Sequence, residues 1–224
     1  MILMAEKEES KEDINKSPES EEIHEKSDKS STRNIILIVI IIIGLLILFF
    51  SIRYLYHPKT TEESYVYNGF KFTKISNLWL TEVQIGNTIF RITTRYSPME
   101  VENIIFEPDV YRKIINSDQI YFTVPGNLSS VAVLGITEVG RIVGTRYGIL
   151  NIPSQSALTE ASGNGTIVKT CNDAVNGTGV ILFTTGNSTT VYSDKDCVIV
   201  QGEDEWGIVK AADRLTFSLL RIMD

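Results

Sequence analysis

The sequence predicts a mixed α/β or α+β domain carried on one transmembrane helix. Three observations predict it. Residues 35–50 form an unbroken apolar run. Residues 65–96 alternate apolar and polar side chains in short stretches separated by turn residues. Beyond them, strand-like runs alternate with helix-period stretches at 130–147 and 205–222. The expected organisation is a tail over 1–33, a membrane helix with its interface over 34–56, a polar linker over 57–64 and a folded domain over 65–224. Within that domain a mixed β-sheet is expected, with an antiparallel N-terminal meander, one βαβ unit and a packed C-terminal helix.

The tail holds six Lys/Arg against ten Asp/Glu and almost nothing apolar after Met4. Such a segment buries too little surface to offset chain entropy, so disorder is expected. The run "IILIVIIIIGLLILFF" carries no charge over sixteen residues. At about 1.5 Å per residue it covers roughly 24 Å, short of a hydrocarbon core. The following "SIRYLY" extends it, because Arg53 can snorkel and Tyr54 and Tyr56 suit the interface. A removable signal peptide is the competing reading. Against it, the run begins after an acidic tail and lacks an Ala-x-Ala-like exit. A buried soluble helix is the third alternative, and it fits a run this rich in isoleucine poorly.

Lys26, Lys29 and Arg33 flank one end of the run, Arg53 and Lys59 the other, which is a weak positive-inside signal. The domain holds both cysteines and four Asn-x-Ser/Thr sequons, at Asn127, Asn164, Asn176 and Asn187, with one more at Asn15 in the tail. Together these favour a plasma-membrane protein with its N-terminus cytoplasmic and its domain outside.

In the domain, "YVYNGFKFTK" pairs two aromatic alternations across Asn68-Gly69, residues that accept the positive φ of a type I′ turn. "LWLTEVQI" and "NTIFRITTRY" follow as strands joined near Gly86-Asn87, completing the meander. Ser97, Pro98 and Glu100 read as a capping box opening a short helix. "DVYRKIINS" is a second short helix and "QIYFTV" a strand. From Ser130, apolar residues recur at Ala132, Ile136, Val139, Val143 and Tyr147, with Gly148 suited to cap that helix. "ILNI" is expected as the next strand, so residues 119–152 make the βαβ unit. Gly135, Gly140 and Gly144 inside the helix point to close packing on the sheet; a partner helix at Gly140-x-x-x-Gly144 is the alternative. "VILFTTGNSTTVYSDKDCVIVQG" gives three strands. In the last helix Ile208, Ala212, Leu215, Leu219 and Ile222, with Val209, Thr216 and Leu220 alongside, form a stripe wide enough to cover a sheet face.

Cys171 and Cys197 each lie near a strand start and meet if those strands are neighbours; a disulfide is favoured over two buried thiols. With two thiols and no histidine after His57, no metal is expected. The domain lacks histidine altogether, because His24 and His57 precede it, and this removes Ser-His-Asp and Cys-His catalysis. Carboxylates abound: Glu138, Asp194, Asp196, Glu203, Asp204, Glu205 and Asp213. A solvated acidic surface is the expectation over a facing catalytic pair. Asp194 and Asp196 lack the remainder of a calcium loop. Trp79, Trp206 and the meander aromatics are expected in the core rather than on a sugar- or peptide-binding face. Gly202 to Gly207 has the glycine spacing of a phosphate loop, but Ile208-Val209 replace its lysine and hydroxyl. Glu203, Asp204 and Glu205 sit where a phosphate would bind, so Asp204 is expected as an N-cap and no nucleotide or other cofactor is expected. Residues 58–224 carry fourteen Lys/Arg against eighteen Asp/Glu, a poor balance for nucleic acid.

"YNGFKFTKISNLWLTEVQ" and the closing "CVIVQGEDEWGIVKAADRL" resemble single-pass archaeal membrane proteins of no assigned activity. Those share an aromatic Asn-Gly hairpin after the anchor and a Cys-strand-Gly-helix ending in Ala-Ala-Asp-Arg-Leu. The resemblance covers most of residues 65–222 and implies an envelope location, with no catalytic residue. The final strand-Gly-helix is also similar, at fold level only, to units of some surface-layer and polysaccharide-handling proteins. The expected role is a membrane-anchored envelope module that meets the bilayer through residues 34–56 and binds a protein or cell-surface polymer without catalysis. The alternative is an extracytoplasmic hydrolase using carboxylates on glycans or peptides. A buried acidic pair in a cleft would favour the enzyme.

Overall fold

The computed structural model describes residues 29–55 and 63–224. It divides into two compact units, Met1–Lys59 and Thr60–Asp224. In the first, α1 (Lys29–Leu55) is a continuous helix, beginning before the boundary expected at residue 33. Its 23 residues Arg33–Leu55 are long and apolar enough to cross a membrane, and their side chains are exposed throughout. Residues 1–28 and 56–62, with the Asn15 sequon and most of the predicted tail and linker, lie outside the described residues.

The second unit opens with the expected meander: β1 (Ser64–Tyr67), β2 (Phe70–Ile75), β3 (Leu78–Ile85) and β4 (Thr88–Thr94), antiparallel and in sequence order. Asn68 and Gly69 both take positive φ, 47° and 84°, as the hairpin turn requires. The inward alternation of β3 buries Trp79, Thr81 and Val83, which face Thr94, Ile92 and Phe90 across the ladder. The chain then makes α2 (Pro98–Val101), where Glu100 accepts the Ser97 backbone N–H at 2.8 Å and the Trp79 indole N–H at 3.1 Å. A two-residue strand, β5 (Ile105–Phe106), and α3 (Asp109–Ile115) lead into the second sheet.

That sheet contains β6 (Gln119–Val124), β7 (Ser154–Leu158), β8 (Thr178–Thr185), β9 (Thr190–Asp194) and β10 (Cys197–Gly202), in the order β5-β9-β10-β8-β6-β7. β6 pairs with β7 in parallel through α4 (Ser130–Val143), so the βαβ unit is present. Its second strand is not where it was expected. "ILNI" is no strand: the Leu150 and Ile152 N–H groups close over the Ile142 and Val143 carbonyls at the end of α4, and the pairing falls to 154–158 after Pro153. The helix also stops earlier than its periodicity suggests, at Gly144, whose N–H reaches the Gly140 carbonyl at 2.9 Å. Tyr147 is left 45% exposed, and Gly148 takes positive φ in the following turn.

The disulfide Cys171–Cys197 is formed, joining a short 3₁₀ turn (Cys171–Asp173) to the start of β10, with Cα atoms 5.1 Å apart. Asn127, Asn164, Asn176 and Asn187 all have exposed side chains.

The last element is the centre of the unit. α5 (Glu205–Leu219) is not a one-sided cover. Twelve of its fifteen residues are buried. One side packs on β8, β9 and β10; the other meets the meander, where Phe217 stands edge-on to Phe72 at 5.7 Å. A helix buried nearly all round belongs inside a fold, and here it lies between two sheets, with Asp213, Arg214, Thr216 and Ser218 among its buried residues. It ends earlier than expected, with Arg221 at positive φ and the Ile222 N–H returning to the Phe217 carbonyl.

Candidate functional site

α4 and α5 approach closely because Gly135 has no side chain. A Cβ there would stand 2.9 Å from Ala212 Cβ and 3.3 Å from Val209 Cα. Close packing therefore explains Gly135, but against a helix and not the sheet. Gly140 is in ordinary contact with the Phe122 ring of β6, and Gly144, the C-cap, comes closer to the sheet, where a Cβ would stand 3.0 Å from Ser154 Oγ of β7. The close approach at Gly135 brings Glu138, one turn on, against Asp213, the residue after Ala212.

Two of the predicted surface carboxylates are therefore not at the surface. Asp213 is 0% exposed and Glu138 is 8% exposed. Asp213 Oδ2 accepts the backbone N–H groups of Arg95 and Tyr96 at 3.0 and 2.8 Å, pinning the end of β4 to α5. Glu138 Oε1 lies 3.4 Å from Arg95 Nε. The remaining oxygens, Asp213 Oδ1 and Glu138 Oε2, are buried and accept from no donor. One proton held between the two carboxyls satisfies both. Burial, reinforced by the neighbouring Glu138 charge, pushes the Asp213 carboxyl well above the usual carboxylate range. Burial also raises Glu138, against the opposing pull of the Asp213 hydrogen bond and of Arg95. The pair thus holds a proton more tightly than isolated carboxylates do, with the Arg95 guanidinium beside it.

Glu138 also borders a cleft of ≈ 450 Å³. β4 contributes residues 89–93, α4 contributes Glu138, Arg141 and Ile142, the segment after it Tyr147 and Ile149, and α5 contributes Thr216. Thr216 is buried and its Oγ1 has no partner. Arg141 donates to Thr93 Oγ1 at a long 3.4 Å and has no ion pair among the described residues. A wider polar concavity of ≈ 600 Å³ lies between α3 and the loop before β8; there Asp109 is already taken by Arg112.

The other sequence candidates are placed as follows. Asp204 caps α5, accepting the Gly207 N–H at 2.6 Å. Glu205 caps a different helix, accepting the Ser129 N–H at 2.8 Å at the start of α4, and Glu203 is exposed. A Cβ on Gly202 would lie 2.1 Å from Ile208 N, so the two glycines serve a backbone crossing of strand end and helix start. Asp194 and Asp196 stay exposed in a tight turn around Lys195, which has positive φ. Among the described residues no group of three or more His, Cys, Asp or Glu side chains is arranged to hold a metal. Trp79 is in the core, but Trp206 is 48% exposed, correcting the expectation that both are core residues.

Arg95, Arg141 and Thr216 carry no sequence motif. A signal for the pair existed: Asp213 interrupts the stripe Val209, Thr216, Leu220 at spacings of four and three. No protein-family model, no curated protein and no solved structure matches the chain.

Proposed function

We propose that the chain is a single-pass membrane-anchored module, N-terminus cytoplasmic, whose globular unit lies on the oxidising side and binds a protein or cell-surface polymer without turning it over. The observation that carries the non-catalytic reading is the position of Asp213. It has no exposed surface, and two backbone N–H groups hold it. The Asp213 carboxyl is sealed in the interior, away from the water and substrate that a glycosidase carboxylate must meet. The anchor is supported by a predominantly apolar span of 23 residues, Arg33–Leu55, roughly 35 Å of helix against a core of about 30 Å. The external placement is supported by the disulfide and by exposed sequons in the globular unit, and the archaeal envelope resemblance points the same way.

Protease treatment of intact cells tests the topology: cleavage within residues 60–224 with the tail protected is expected, and the reverse pattern overturns it. One observation favours the hydrolase reading, namely a carboxyl raised by burial at the wall of a cleft. Hydrolysis of a glycan or peptide that Glu138→Gln abolishes would establish that reading and sink the binding module.

A further inference from the structure

β4 is an edge strand of the meander, and it makes no backbone hydrogen bond beyond those to β3 among the described residues. Five consecutive residues of it, 89–93, line the cleft. Adjacent strand residues point to opposite faces, so a single concavity touches all five only along the open edge. The cleft is therefore a trough beside unpaired N–H and C=O groups, roughly 13 Å long at about 3.3 Å per residue. Its far wall is apolar, from Ile142 and Ile149, and its floor holds the unpartnered Thr216 hydroxyl.

The charge around it is uneven. Arg91 is answered by Glu82 at 2.9 Å and Arg95 by Glu138. Arg141, and Arg146 beside the Tyr147 ring, have no ion pair among the described residues. The rim is thus net cationic on a unit that is acidic as a whole. A second copy pairing through the same edge would bring these arginines face to face.

We infer that this trough takes an extended acidic peptide segment of a partner protein, which adds to the free edge of β4 as a fifth strand. Main-chain hydrogen bonds to β4 supply the binding, apolar side chains of the segment face Ile142 and Ile149, and its carboxylates face Arg141 and Arg146. The inference rests on the binding-module reading and names its partner chemistry.

The test uses the full chain in detergent micelles and fluorescence anisotropy of labelled octapeptides. One probe alternates glutamate and valine; a second alternates lysine and valine. Two more are glutamate–valine probes N-methylated at every valine or at every glutamate. The glutamate probe should bind at least about tenfold more tightly than the lysine probe. Alternate residues of a strand turn their N–H groups to opposite edges, so one N-methylated probe should lose binding about tenfold or more while the other keeps it. Arg141→Glu, an exposed position, should reverse the preference between glutamate and lysine probes with tryptophan emission unchanged. Equal binding of glutamate and lysine probes, equal binding of all three glutamate probes, or displacement by a neutral β-linked oligosaccharide with no peptide binding would each overturn the inference. Those outcomes leave the topology and turnover measurements standing on their own, so failure here is distinguishable from failure of the module reading.

Discussion

Replacing Asp213 separates its structural role from its charge. Asp213→Ala deprives the Arg95 and Tyr96 N–H groups of their acceptor in the layer between β4 and α5. A buried donor left unpaired costs about 1–3 kcal/mol, so two cost roughly 2–6 kcal/mol. At about 2–4 °C per kcal/mol for a domain of this size, the melting temperature should fall by on the order of 10 °C. Asp213→Asn keeps a carbonyl oxygen for both donors and offers an N–H to Glu138 Oε2, so it should lie within about 1 kcal/mol of the parent. The pH dependence has a fixed sign. A carboxyl raised in the folded state binds a proton that the unfolded chain releases. Its stabilising contribution is full below the ordinary carboxylate pKa and declines as pH rises towards the raised folded-state value. The parent minus Asp213→Asn stability difference should therefore fall between pH 4 and the end of that titration, then level off. Urea unfolding in detergent reads this directly, because Trp79 and Trp206 both lie in the globular unit. An alanine variant within 1 kcal/mol of the parent, or a difference that grows with pH, would refute the assignment of Asp213 as a proton-holding clamp.

Serine at Cys171 or Cys197 should cost about 3–4 kcal/mol, the loop entropy for a separation of 26 residues; two alkylatable thiols in the untreated protein would contradict the bridge. Gly202→Ala should lower stability by several kcal/mol, since its methyl would meet the helix backbone at 2.1 Å, whereas Gly140→Ala, in ordinary contact with Phe122, should leave it unchanged or raise it by up to about 1 kcal/mol. Thermal melts that rank the two the other way would disprove the backbone crossing. Hydrogen bonds from the Ser129 hydroxyl and N–H hold Glu205 below its usual range, so its clamp on α4 is present above pH 4.5 and weakens as pH falls through the lowered value; Ser129 amide exchange should accelerate in Glu205→Ala, which removes the acceptor, and unchanged protection would count against the clamp.

The meander was legible because Asn68-Gly69 and Gly86 mark its turns and period-2 alternation marks its faces. The disulfide was expected from two strand starts, yet only Cys197 begins a strand, since Cys171 lies in the 3₁₀ turn before β8; the Asp204 cap was legible from the acid preceding an apolar period. What failed did so where tertiary contacts overrode local pattern. Tyr147 continues the α4 period, yet Leu150 and Ile152 turn back to seal the helix and take the place of a strand. Glu138 and Asp213 were visible as carboxylates, but only the Gly135 contact, across 77 positions to Ala212, makes them neighbours. No local window contains both.

The placement of α5 bears on how the chain is made. The helix that both sheets close on is the last of the described elements to leave the ribosome. Until Asp213 emerges, the end of β4 lacks a clamp that lies 118 residues downstream of Arg95. The first strands thus depend on the last helix, and no N-terminal fragment of the unit contains its own core. A chain that stopped between β10 and α5 would hold every strand of both sheets without the helix they close on, leaving apolar faces open to proteases and chaperones.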